Sequence, residues 1–208
     1  MKIHMDIISG FLGAGKTTLI NSLISESKVE GERICIFQLE DGKEKIAENS
    51  NNNYQIKTKS IRDIKELKQE LIFSIAEFNP HRIIIEYNGT WDLNELFLML
   101  NEKIYRETCK VKSVFFVADG KTLNEYIDNI GGFIIPFIQY SDVMIVNNID
   151  EANTKSLEKG LKKLRNINPH GNVLEVNNKF ILKSVLKGAK VFESGYLRKI
   201  KIQYESSR

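Results

Sequence analysis

Apolar residues along this chain gather into short, nearly continuous runs, separated by longer stretches in which they recur every three or four positions. The runs are Met5 to Ile8, Arg33 to Phe37, Arg82 to Glu86, Ser113 to Ala118, Val143 to Val146 and Asn172 to Val176. Short runs of this kind, rich in β-branched residues, predict strands buried on both faces, as in a parallel sheet. Between them, Ile61, Ile64, Leu67, Leu71, Ile72, Ile75 and Phe78 keep helical spacing until Asn79-Pro80 ends the pattern. Further helices are expected at Thr18 to Ser25, at Leu93 to Leu100 behind the N-cap candidate Asp92, and at Thr154 to Ile167, which Asn168-Pro169 terminates. One more helix, Phe180 to Leu186, and a terminal strand, Leu197 to Tyr204, complete the expectation. Strands alternating with helices predict an α/β fold of three layers, a mostly parallel sheet with helices on both faces. No linker or internal repeat interrupts the pattern, so residues 1–208 read as a single domain.

One segment breaks the rhythm. Gln38-Leu39-Glu40-Asp41-Gly42 opens a polar stretch that runs to about Lys59 and includes Asn49-Ser50-Asn51-Asn52-Asn53. That is long for a connection inside one domain, which marks it as a functional loop or a disordered segment.

Composition narrows the partners. With 208 residues, 42% apolar and 27% charged, the chain can build one sizeable core. A net charge of +3, mixed in sign, gives no electrostatic argument for nucleic acid or an anionic membrane. No apolar run approaches the length of a membrane span, and Met1 to His4 leads straight into the first strand, so a cytoplasmic protein without a leader is expected. Cys35 and Cys109 stand alone in or beside apolar segments and read as small core residues in a reducing compartment. His4, His81 and His170 are isolated and read as surface or loop residues rather than ligands.

The chemistry is concentrated in Ser9-Gly-Phe-Leu-Gly-Ala-Gly-Lys-Thr-Thr18. It matches G-x-x-x-x-G-K-S/T in the strand–loop–helix setting that a phosphate-binding loop needs. A chance match in a chain of this length is on the order of 1 in 100. Glycines at Gly10, Gly13 and Gly15 let the backbone curl so that N–H groups converge on one anion, and Ala14 and Thr18 add their amides as the helix begins. Lys16 is placed to reach the β- and γ-phosphates of a nucleoside triphosphate, and Thr17 to ligate Mg²⁺. The fold class then becomes that of the P-loop NTPases.

In parallel sheets, ligands bind at the carboxyl ends of the strands. Those ends deliver Glu40 and Asp41, Glu86, Asp119, and Asn147 with Asp150. Carboxylates beside a triphosphate need a cation between them, and Mg²⁺ takes one or two together with phosphate oxygens and waters. Glu86, directly after a buried strand, is the first candidate; Asp41 and Glu40 follow. Asn147-x-x-Asp150 suits a base reader, since a carboxylate accepts from N1–H and the exocyclic amine of guanine but finds no such pair on adenine. Asn and Asp after a strand also serve as plain turn formers.

Ser9 to Asn21 closely resembles the opening of the CobW-type GTPases, relatives of the HypB and UreG metallochaperones. Glu86-Tyr-Asn-Gly89 is similar to that family's E-x-x-G motif, and Phe137 to Asp150 resembles the segment leading into its base site. The likeness runs from about residue 3 to residue 176. Three differences stand beside it: Asn148 replaces the lysine of the base motif, no C-x-C-C motif is present, and the carboxy-terminal domain of longer members has no counterpart here. The resemblance implies a GTP-binding, slowly GTP-hydrolysing switch protein using Mg²⁺, with Lys16, Glu86 and Asp41 as catalytic residues. No arginine finger is identifiable, in keeping with slow turnover. The stretch from Gln38 to Lys59 would order around the γ-phosphate. The resemblance further implies a client metalloprotein or cofactor-assembly protein and a nucleotide-dependent homodimer. Zinc or cobalt would be shared between chains rather than held tightly by one. Two other readings stay open: a P-loop small-molecule kinase using ATP, with Asp119 or Glu86 as base, and a nucleotide-gated module that does not hydrolyse.

Overall fold

The strand runs do pair, side by side and all in one direction. The structure, a computed structural model, describes residues 2–40, 45–46, 54–177 and 202. Its strands are β1 (Ile3–Gly10), β2 (Glu32–Gln38), β3 (Tyr54–Ser60), β4 (Arg82–Glu86), β5 (Cys109–Asp119), β6 (Val143–Asn147) and β7 (Asn172–Glu175). They form one sheet in the order β3-β2-β4-β1-β5-β6-β7, every pair parallel. The helices are α1 (Lys16–Ser27), α2 (Ile64–Phe78), α3 (Leu93–Leu100), α4 (Lys103–Thr108), α5 (Leu123–Gln139) and α6 (Thr154–Ile167). α1 packs Leu19, Ile20, Leu23 and Ile24 on one face of the sheet. Residues of α2 to α6 pack on the other, around Met5, Phe37, Ile85, Phe116 and Val146. The three-layer α/β architecture is the expected one.

The structure corrects the sequence pattern in three places. The polar stretch after Gln38 contains a strand, β3, at the edge of the described sheet. Its Tyr-Gln-Ile-Lys-Thr-Lys-Ser sequence lacks an apolar run because most of its side chains are exposed or half-buried; lysines on an edge strand also discourage pairing with other chains. Between Asp119 and Val143, where the pattern assigns nothing, α5 runs through Gly131, Gly132 and Pro136, with a kink at Ile130 (φ −131°, ψ 27°). α4 is too short for periodicity to reveal. The expected helix Phe180 to Leu186 and strand Leu197 to Tyr204 lie outside the described residues.

Cys35 and Cys109 are buried core residues. They cannot meet across adjacent strands, since β4 and β1 lie between β2 and β5. Burial pushes both thiols up in pKa, which keeps them protonated and inert. His81 is not a surface residue: it is 3% exposed and its Nδ1 accepts from the Arg33 amide at 2.9 Å. His4 lies within β1, half-buried, and His170 in an exposed turn.

Asn168 does more than stop a helix. Its Nδ2 donates to Ile138 O and Ser141 O, both at 2.8 Å, and its Oδ1 accepts from the Gly171 amide at 2.9 Å. One buried amide thus joins the turn before β6 to the turn before β7. Asn168→Ala leaves these groups unpaired and is expected to cost about 2 kcal/mol in urea unfolding; a loss below ~0.5 kcal/mol would show that solvent replaces the bonds.

Candidate functional site

β1 ends in the glycine loop because the strand at Gly10 turns where no side chain fits. Gly10 has φ +134°, and a Cβ there would lie 2.1 Å from Val117 O of β5. The chain then curls through Gly13 and Gly15, both at positive φ, into the first turn of α1. Gly89, the glycine of the Glu86 motif, packs against this curl: a Cβ on it would meet Gly10 O at 2.5 Å. The two motifs are therefore one assembly, the loop after β4 backing the loop after β1.

Strand register brings the polar groups level. Ile8 of β1, Glu86 of β4 and Gln38 of β2 lie in one row across the sheet. Tyr87 N donates to Ile8 O (2.8 Å) and Leu39 N to Glu86 O (3.0 Å), which fixes the strand ends to each other. Glu86 is 2% exposed. Its Oε1 accepts from Thr17 Oγ1 and its Oε2 from Gln38 Nε2, both at 2.7 Å. Both donors are neutral, and no cation pairs with this carboxylate among the described residues. Next to it, the Tyr87 hydroxyl donates to Asp92 O at 2.8 Å. Burial first, then the Glu95 and Asp92 charges, drives its pKa well above the usual phenol, so it stays a neutral donor.

Lys16 and Thr17 are both buried at the start of α1. The Lys16 ammonium donates to Gly10 O (2.8 Å) and Phe11 O (2.9 Å) and forms an ion pair with Glu40. Asp41 lies outside the described residues. The other half of the expected site sits on β6. Asn147 donates from Nδ2 to Ala14 O at 2.7 Å, tying the expected base motif to the glycine loop. Asn148 adopts the left-handed conformation (φ 56°, ψ 36°) and donates to Asp119 Oδ2 at 3.0 Å. Asparagine tolerates that backbone better than most residues. The other Asp119 oxygen accepts from the Lys121 amide at 2.9 Å. Asp150 is exposed in a single 3₁₀ turn, Ile149–Glu151, with no partner among the described residues.

The structure thus brings Lys16 onto Gly10 and Glu40, Thr17 onto Glu86, and Asn147 onto Ala14 of the glycine loop through direct contacts. Sequence reasoning missed Gln38 as a member. Its signal was there, a polar residue ending a buried strand, but which carboxylate it serves depends on register. Among the described residues, no group of three or more His, Cys, Asp or Glu side chains could hold a metal ion, and no helix is long and apolar enough to cross a membrane.

Residues 4–175 match the family model for the CobW/HypB/UreG nucleotide-binding domain. Among solved structures, Zn(II)-bound YjiA GTPase from E. coli is similar at 19% identity and a TM-score of 0.62, over 84% of this chain and 57% of that one. Hydrogenase maturation factor HypB from Archaeoglobus fulgidus is similar at 15% identity and a TM-score of 0.51, over 90% of each chain. HypB from Helicobacter pylori, in complex with nickel, is 10% identical with a TM-score of 0.52, over 90% of this chain and 87% of that one. At such identities the likeness is one of fold. The chain spans less than two thirds of the YjiA chain. No curated protein sequence matches.

Proposed function

This chain belongs to the CobW/HypB/UreG family, and from that premise we propose a GTP-binding, slowly GTP-hydrolysing switch protein that assists metal or cofactor delivery to a client protein. One observation carries the catalytic part: the Glu86 carboxylate, buried against Thr17 and Gln38, has only neutral partners. A buried charge without a counter-ion is costly, and a hydrated divalent cation beside it would offset that cost. The donor set fits Mg²⁺, which takes hydroxyl, carboxylate and water oxygens together with substrate phosphates. Bound there, Mg²⁺ would neutralise charge on the phosphate oxygens.

In this reading Thr17 would ligate the metal and Glu86 would hold its water. Glu40 and Asp41 supply further carboxylate charge, and Asp41 orients the attacking water. Lys16 and the amides of Gly13, Ala14, Gly15, Thr17 and Thr18 grip the phosphate chain and steady the transferring phosphoryl group. Asn147 braces the loop, and Asp150 accepts from guanine. The client is supported by kinship: relatives of the same fold include a Zn(II)-bound GTPase and a hydrogenase maturation factor.

Thermal unfolding with a panel of nucleotides and Mg²⁺ tests the proposal. GTP at a hundred times its Kd is expected to stabilise the chain by about 2.7 kcal/mol, and ATP by much less. A larger response to ATP would favour the kinase. No response to any nucleotide would end the reading altogether.

A further inference from the structure

The Lys16 ammonium has three N–H donors, and the structure gives it three acceptors: Gly10 O, Phe11 O and a Glu40 carboxylate oxygen. Its side chain is 3% exposed and that of Glu40 is 12% exposed, so water competes little for either. The one loop cation placed to meet a polyphosphate is thus fully occupied by acceptors of the protein itself. Two of its acceptors are neutral carbonyls. The third is an anion, lying where further negative charge has to arrive.

Glu40 is also held in place. Leu39 is buried, and its amide is bonded to Glu86 O at 3.0 Å. Gln38, two residues before Glu40, donates to Glu86 Oε2. The segment carrying the Glu40 carboxylate is thereby tied to the carboxylate proposed to hold Mg²⁺. A phosphate oxygen approaching Lys16 meets repulsion from Glu40, which only a second cation beside the phosphates relieves.

We infer that Glu40 is a charge latch on the phosphate site, the partner of Lys16 that a bound nucleoside triphosphate must displace and that then exchanges the lysine for Mg²⁺. The latch makes capture of the nucleotide conditional on the metal. Bare triphosphate must break the Lys16–Glu40 pair and leave two anions facing each other. The Mg²⁺ complex brings the replacement counter-ion with it. This inference rests on the GTP reading above and concerns how that same site is regulated.

Isothermal titration of GTP into the full chain and into Glu40→Gln, each in excess EDTA and in saturating Mg²⁺, tests it. The glutamine keeps an oxygen for Lys16 and removes the charge. In EDTA the variant is expected to bind GTP about tenfold tighter than the unsubstituted chain. In Mg²⁺ that advantage is expected to vanish or reverse, because the lost carboxylate no longer faces the metal. Glu40→Asp, which keeps the charge on a shorter stem, should fall between the two in EDTA. Equal tightening in both conditions would reduce Glu40 to a general repulsive charge and overturn the exchange. Unchanged affinity in EDTA, with GTP still bound, would overturn the latch alone. Failure of the unsubstituted chain to bind GTP under either condition would overturn the underlying reading and the latch with it.

Discussion

Lys16→Ala is expected to lower GTP hydrolysis by roughly 10²- to 10³-fold, the usual loss when one preorganised donor to a transition state is removed. Lys16 is the single cation among the residues assigned to the phosphate site, and it comes from the first turn of α1, where the helix end adds its own positive potential. Alanine would remove the charge proposed to meet the transferring phosphoryl group. It also leaves Gly10 O, Phe11 O and Glu40 without the partner each now has. The loss should therefore reach the ligand-free protein too, by about 1–3 kcal/mol in chemical denaturation. Single-turnover measurement of phosphate release checks the first effect and a urea titration the second. Hydrolysis within threefold of the unsubstituted rate would mean that the γ-phosphate lies elsewhere.

Gly10→Ala should cause the largest loss of stability of any single methyl added to the loop. Two penalties coincide there. The φ of +134° suits glycine and few other residues, and the new Cβ would stand 2.1 Å from the Val117 carbonyl oxygen. That oxygen belongs to β5, in the middle of the parallel sheet, and cannot swing aside as a side-chain tip can. Backbone strain of about 1–3 kcal/mol together with a similar cost for overpacking gives an expected loss of about 3–5 kcal/mol. For a chain of this size that is a fall in Tm of roughly 10 °C. Nucleotide affinity should fall as well, because shifting Gly10 moves the carbonyl that positions Lys16 and the backbone against which Gly89 packs. A melting temperature within 2 °C of the unsubstituted chain would show that β1 and β5 separate more easily than their pairing implies.

Much of this architecture was legible before any coordinates. β4 and α6 span the residues their patterns predicted, and so does α3. The strand is a continuous β-branched run and the helices keep a clear period; Asp92, the start signal read for α3, does cap it, and Asn153 is found to cap α6. β3 was not legible, because an edge strand need not bury a face and its alternating lysines look like loop. α5 was hidden by the Gly131-Gly132 pair and Pro136, residues that lower helix propensity but are tolerated once Ile127, Ile134 and Ile138 pack against the sheet. In the site, Glu86 and Thr17 could be named from motif position. Their direct hydrogen bond could not, nor could the role of Gln38. Asn148 could be seen to differ from the lysine of the family motif, but its bond to Asp119 could not.

What the chain's own order of residues determined was local chemistry. A glycine-rich turn between a buried strand and a helix can take the positive φ that Gly10, Gly13 and Gly15 adopt, since the conformations open to glycine are a property of the residue itself. The same holds for runs of β-branched residues that become inner strands. Which distant side chains meet was decided only by the tertiary structure. Gln38 and Glu86, forty-eight residues apart in the chain, face each other because β2 and β4 are neighbours in register. Lys16 finds Glu40 because the end of β2 is tied to the end of β4, beside the loop that leaves β1. Strand order and register follow from packing the whole sheet between its helices, a condition no periodicity along the chain records.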